Sequence, residues 1–374
     1  MYVLGGRTVE SLEAAGAPVE ETVAQGALSS KRAEELAEAV KNDPQKTALL
    51  LDLVCVDGVR GKTEKELTAK GVSLVRTAAT ALAEISKDGT RAALTLPQLA
   101  SLEAIVRLTG RPSMLIQQGD FNGPLDKSWE HLALDLNRNK IKRTLQSVGR
   151  VYFGSKGGNG RGIGTAWVAG SGVLVTNRHV VDPHLGKKSG DGWNLHEGTR
   201  VWVDFLVEEQ NAKTLEFEVK RILHVEDGAA GHPDLALLEV ETRNAAGETL
   251  PAPLPIASND AEVRTSDDHV YTIGYPGFDD THESEVLEQI FGGIYGRKRL
   301  APGVITALDA STCSLQHDCS TLKGSSGSCV VRLATNKVVG LHFRGTQLSQ
   351  NEAVLMAKMI AEARFKEFGL HFVP

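Results

Sequence analysis

Cysteine, surplus basic charge and long apolar runs are all scarce in this chain, and each scarcity removes a class of protein. Four cysteines (Cys55, Cys313, Cys319 and Cys329) in 374 residues are too few for a disulfide-built scaffold. None stands beside His or Cys at metal-ligand spacing, so they read as reduced packing thiols, with a Cys313–Cys319 bridge left open. No metal and no cofactor is expected. Basic residues number 41 against 47 acidic ones, a net charge of −6, which argues against nucleic acid as a partner. No apolar run approaches the length that spans a bilayer, so no membrane segment is expected. The opening residues, Met1 to Pro18, lack a basic stretch followed by an apolar one, and the reading is a cytoplasmic protein. A chain of 374 residues exceeds what one core usually serves, which predicts two domains.

Residues 1–111 read as a helical regulatory or interaction domain. Apolar residues recur at helix spacing in Ser29–Val40, Thr47–Val54, Thr63–Ser86 and Leu96–Leu108. With 15 acidic and 14 basic residues this region has no electrostatic signature, and it holds no motif with chemistry in it. Residues 112–147 read as a linker and a connecting helix over Ser128–Gln146. From Val148 onward short β-rich segments alternate with glycine-rich turns, among them Arg150–Phe153, Thr165–Val168, Gly172–Thr176, Arg200–Val203 and Phe217–Val219, which predicts an all-β sandwich or barrel. A helix over Asn351–Phe368 closes the chain. The expected class is therefore α+β multidomain. The loop Gly154–Gly162 is no phosphate loop, because it leads into a strand and lacks the Lys-Ser/Thr ending.

The stretch CSTLKGSSGSC, Cys319–Cys329, sets Ser326 in a tight turn between glycines. Such a turn needs backbone angles that a Cβ resists. It also aims N–H groups at one point, where an acyl oxygen would gain negative charge. A serine hydroxyl is a poor nucleophile until a neutral imidazole takes its proton, and the imidazole needs a buried carboxylate to orient it. His179 follows the apolar run Leu174-Val175-Thr176, and Asp234 opens the apolar run Leu235–Val240. Asp227 competes with Asp234 for the carboxylate role, and His224, His232 and His317 read as structural or surface residues.

The segments GTAWVAGSGVLVTNRHVV, HPDLALLEV, YTIGYPG, HDCSTLKGSSGSCVV and KVVGLHFRG, in this order, resemble the successive blocks of trypsin-like serine peptidases. The branch nearest in pattern is the bacterial one that includes glutamyl endopeptidases. The resemblance covers roughly residues 148–370 and implies a chymotrypsin-like double β-barrel acting on a protein or peptide substrate. It implies Ser326 as nucleophile, His179 as general base, Asp234 as its orienting carboxylate, and the N–H groups of Gly324 and Ser326 as the oxyanion hole. Ser320 stands where basic specificity needs an aspartate. Thr321 and His342 stand where glutamyl endopeptidases, and glutamine-selective viral proteases of this fold, place pocket residues, so Glu or Gln is expected at P1, with His342 able to supply positive charge if protonated. Phe343, Arg344 and Gly345 are expected to pair with the substrate backbone. Ser325 replaces the aspartate that trypsin-type zymogens pair with a new N-terminus, which leaves regulation to a partner protein at the helical domain. Gln117-Gln118-Gly119 reads as a candidate self-cleavage site after Gln118. The alternative is an adaptor or effector subunit of a bacterial signalling or defence complex, in which the protease fold mainly binds a partner.

Overall fold

The structure is a computed structural model and describes residues 77, 80, 111–121, 125, 129–227, 232–263, 269–278, 291–309, 312–345, 351–359, 365 and 367–374. The expected helical domain, residues 1–111, lies almost wholly outside the described residues. Residues 113–278 and 295–374 form one compact unit.

That unit opens on a hairpin, β1 (Met114–Gln117) and β2 (Asp120–Phe121), followed by helix α1 (Asp135–Gln146). The first barrel is built from β3 (Val148–Ser155), β4 (Arg161–Gly170) and β5 (Val173–Thr176), then the one-turn helix α2 (Arg178–Val181), a small hairpin β6 (Gly186–Ser189) and β7 (Gly192–Leu195), and β8 (Thr199–Asp204), β9 (Glu216–Val225) and β10 (Ala236–Val240). It closes in the order β10-β5-β4-β3-β8-β9. After the short β11 (Ile256–Ala257) come β12 (His269–Gly274), β13 (Arg299–Asp309), β14 (Ser314–His317), β15 (Cys329–Arg332), β16 (Val338–Gly345) and β17 (Asn351–Leu355), with α3 (Met356–Met359) and β18 (Phe372–Val373) at the end. Strands β12-β15-β16-β17-β14-β13 run in that order, and the β12–β13 pairing closes a second barrel. Closure leaves neither barrel an unpaired edge. Among the described residues no helix is long and apolar enough to cross a membrane.

The strands between the barrels are apolar on both faces, and the alternation shows why. Ala166, Val168, Leu174, Ala236 and Leu238 fill the first barrel, whereas their neighbours Trp167, Val175 and Leu237 turn outward into a central core. From the other side Val270, Val330 and Val339 fill the second barrel, and Tyr271, Ile273 and Val331 turn into the same central core. A strand buried on both sides reads as a continuous apolar run, as GVLVT, LALLEV and CVV do.

The structure departs from the sequence reading at three places. Residues 114–121 do not merely link, since β1 pairs antiparallel with β13 and with β2 and becomes part of the second barrel's sheet. The connecting helix begins at Asp135, seven residues later than expected, with a 3₁₀ turn over Glu130–Ala133 before it. The closing helix was expected from Asn351, but Asn351–Leu355 is a strand held between β14 and β16. Tertiary pairing overrides a helix-compatible pattern there. The Gln118–Gly119 bond also lies in the β1–β2 turn, with φ of +53° and +74° and the Gly119 N–H given to Glu208 Oε2 at 2.7 Å.

One charged side chain ties these parts together. Lys298, fully buried just before β13, gives its ammonium to the carbonyls of Leu145 on α1 and Phe205 after β8, both at 2.7 Å, and lies 3.5 Å from Glu208 Oε1. Burial pulls its pKa down to about 8, against the pull of the Glu208 carboxylate, so the ammonium stays charged at neutral pH. Removing one partner of a buried pair strands the other. Lys298→Met should therefore cost about 3–5 kcal/mol of stability, read as a loss of urea midpoint at unchanged slope.

Candidate active site

The first half of the site follows from the register of β5 against β10. Ala236 pairs with Thr176, which sets the residues just after β5 beside those just before β10. Asn177 then donates its side-chain amide to the Asp234 carbonyl at 2.8 Å. His179 stands in the first turn of α2, and its Nδ1 lies 2.6 Å from Asp234 Oδ2, while its backbone N–H gives to Oδ1 at 3.1 Å. One carboxylate thus grips ring and backbone together. With the Nδ1 proton held by Asp234, Nε2 carries the lone pair, and the side chain is 41% exposed, open to a substrate. The competing Asp227 is engaged elsewhere, 3.2 Å from His232 Nδ1, and His224 Nε2 lies 3.1 Å from the buried Glu226.

The second half is the turn that carries Ser326. Gly324 and Gly327 have φ of +91° and +90°, in the left-handed region. Space excludes any other residue as well: a Cβ on Gly324 would stand 2.6 Å from the Tyr275 carbonyl oxygen, and one on Gly327 would stand 1.9 Å from that of Thr165. The turn touches the first barrel at its β4 edge, where the Thr165 N–H donates to the Ser326 carbonyl at 2.8 Å. Next to Thr165, a Cβ on Gly164 would stand 2.9 Å from Val180 and 3.3 Å from the Ser326 carbonyl oxygen, so one bare glycine separates the neighbour of His179 from Ser326. Among the described residues no acceptor takes the N–H of Gly324 or Ser326.

The expected pocket residues fall in two groups. Thr321 donates its hydroxyl to Asn351 Oδ1 at 2.7 Å, and Asn351 in turn donates to the Cys319 carbonyl at 2.6 Å. Gly345 faces the same pair, since a Cβ there would stand 2.6 Å from Asn351 Oδ1 and 3.6 Å from Thr321 Oγ1. Ser320, half-buried, precedes Thr321 in this segment. His342 is tied to the turn around Ser326 through its backbone, accepting from the Gly327 N–H and donating to the Ser328 carbonyl, both at 2.9 Å. Phe343 packs on the central core, and Arg344 is exposed, its Nη2 donating to both carboxylate oxygens of Glu352 at 2.7 and 2.8 Å.

His342 was expected to supply positive charge if protonated, and its surroundings oppose protonation. The ring is buried, and burial, aided by repulsion from His179, pushes its pKa down to about 3. It is neutral at physiological pH and can offer a ligand only a hydrogen bond. Its Nδ1 lies 3.2 Å from Nε2 of His317, which is fully buried and also held well below the usual histidine range by burial. His317, read from the sequence as a structural or surface residue, is a buried one. The signal was its place on a strand: β14 alternates, and His317 shares the inward phase of the buried Leu315. Among the described residues no cluster of three or more metal-ligating side chains occurs.

The profile of the trypsin-like peptidase domain matches residues 164–341. The chain is 28% identical over 292 residues to a probable serine protease of Lysobacter enzymogenes, covering 69% of this chain and 73% of that one. Among solved structures it overlays on the Rv3671c protease of M. tuberculosis in its active form (TM-score 0.38, 19% identity, 64% of this chain and 88% of that one). The inactive form of the same protease gives a TM-score of 0.36 at 17% identity, over 60% and 89% of the two chains. Two closed barrels, a serine in a glycine-bounded turn at their seam and the matched profile lead to one assignment: residues 164–341 belong to a trypsin-like peptidase domain, the domain of a serine protease.

Proposed function

We propose that this protein is an endopeptidase in which His179, Asp234 and Ser326 form the catalytic triad and Glu or Gln is taken at P1. The observation that carries the triad is the double grip of Asp234 on His179, ring and backbone, across the seam from Ser326. In the reaction Ser326 Oγ attacks the scissile carbonyl as Nε2 of His179 takes its proton, and Asp234 stabilises the imidazolium without being protonated. The N–H groups of Gly324 and Ser326 receive the oxyanion. His179 then protonates the leaving amine, and water, activated by the same imidazole, releases the acyl group. A fluorophosphonate probe should label the wild type and not Ser326→Ala, and Asp234→Asn should lower kcat by roughly 10⁴-fold. Labelling that persists in Ser326→Ala would move the nucleophile elsewhere.

P1 preference rests on the two histidines. Nδ1 of His317 has no partner among the described residues, and a buried orphan N–H is rarer than an orphan acceptor. The shared proton therefore sits on His317 Nε2 and points at His342 Nδ1, which leaves the His342 proton on Nε2 as the donor for a P1 carboxylate or carboxamide. Ser320, six positions before Ser326, stands where an aspartate would favour Lys or Arg. A peptide library should show cleavage after Glu or Gln, and His342→Ala should lower that selectivity by at least about 10²-fold, because a site built around a hydrogen bond discriminates by its loss. Cleavage mainly after Arg, Lys or Leu would exclude this pocket.

Residues 1–111 regulate the protease through a partner protein. The support is indirect: Ser325 stands where an N-terminus-activated zymogen needs an acid, and its hydroxyl accepts the Leu322 N–H at 3.3 Å. Removing residues 1–111 should change cleavage rate or substrate capture; a truncated protein equal to the full chain in both would end the proposal.

A further inference from the structure

The turn around Ser326 is held through its carbonyls, all five of them in succession. Leu322 O accepts the Ser325 N–H at 2.9 Å, and Lys323 O accepts the Gly277 N–H at 2.6 Å. Gly324 O accepts the Thr165 hydroxyl at 2.9 Å. Ser325 O accepts both the N–H and the hydroxyl of Ser328, at 2.9 and 2.5 Å. Ser326 O accepts the Thr165 N–H at 2.8 Å. In a trans peptide the C=O and N–H point opposite ways. Holding the carbonyls of Lys323 and Ser325 on one side therefore turns the N–H groups of Gly324 and Ser326 to the other, the orientation an oxyanion hole needs.

Two of these donors are side-chain hydroxyls from outside the turn's peptide units, and the protein makes room for them. Ser328 is fully buried, and a Cβ on Gly274 would stand 2.1 Å from its Oγ and 3.4 Å from Thr165 Oγ1. Thr165 is also buried and belongs to the first barrel, so it carries the position of that barrel into the second. Thr176, at the end of β5, gives its hydroxyl to the Thr165 carbonyl at 2.7 Å and steadies the reach across the seam.

We propose that Thr165 and Ser328 are positioning residues whose hydroxyls lock the nucleophile turn in its oxyanion-binding form before substrate arrives, so that this turn needs no inserted N-terminus to assemble. This rests on the assignment of Ser326 as nucleophile. The locking acts on the transition state and not on the ground-state fit of a peptide. The test is steady-state kinetics on full-length Thr165→Val and Ser328→Ala, together with the affinity of a peptide aldehyde, whose hemiacetal oxygen enters the oxyanion site, and of the matching product peptide. Thr165→Val should lower kcat roughly 10- to 100-fold and Ser328→Ala about tenfold, both less than loss of an oxyanion donor itself. KM and product binding should stay within twofold, the aldehyde should weaken in proportion to kcat, and Thr165→Ser should recover most of the loss. Unchanged kcat in both variants, or equal weakening of aldehyde and product, would overturn the proposal. Ser328→Ala alone carries the test where Thr165→Val does not fold. Failure of the underlying assignment shows separately, as fluorophosphonate labelling of Ser326→Ala.

Discussion

The registration of two closed barrels across their shared face is the constraint on which the rest of this protein depends. His179 and Asp234 belong to the first barrel and Ser326 to a turn of the second, so neither barrel holds the site alone. Apolar packing of Trp167, Val175 and Leu237 against Tyr271, Ile273 and Val331 supplies the attraction. Such packing is non-directional and does not by itself choose one register. Directional bonds do that. Lys298 fixes α1 and the end of β8 against the start of β13, and Thr165 fixes β4 against the nucleophile turn.

These two ties differ in kind. Lys298 is a buried charge that has given up hydration, as its lowered pKa records, and in return satisfies two carbonyls from separate elements. Such groups contribute little net stability yet are costly to break, which suits a joint that must have one geometry. Thr165 uses neutral hydrogen bonds, three of them on one residue counting the bond its carbonyl accepts from Thr176. The two facing histidines follow the same economy of charge: burial pushes the pKa of His342 down to about 3 and holds His317 well below the usual histidine range. A neutral ring avoids the desolvation cost that a buried imidazolium would carry.

Much of the site was legible because its local parts obey local rules. A turn that forces φ near +90° on both sides of a serine must be written with glycine at 324 and 327, and a strand buried on both faces must be written as an unbroken apolar run before Asp234 and His179 can be read beside it. The burial of His317 was legible from its phase on β14, but its partner was not, and neither was Lys298. Nothing near a histidine or a lysine in the chain announces which groups it will meet, because those groups come from segments far away in sequence: His342 for the one, Leu145, Phe205 and Glu208 for the other. Asn351–Leu355 was misread for a related reason, since its pattern is compatible with a helix and only the vacancy between β14 and β16 makes it a strand.

By itself, then, the sequence determined the β-rich character of residues 148–345, the identity of the turn that bears Ser326, and the candidates His179 and Asp234, all features governed by backbone sterics and side-chain alternation within a few residues. The tertiary structure alone decided that Asp234 and not Asp227 faces His179, that burial pushes the pKa of His342 down, that β1 joins the second barrel, and that five successive carbonyls around Ser326 all accept hydrogen bonds. Burial, charge state and hydrogen-bond partners are properties of a neighbourhood, and the neighbourhood exists only once the two barrels have closed and met.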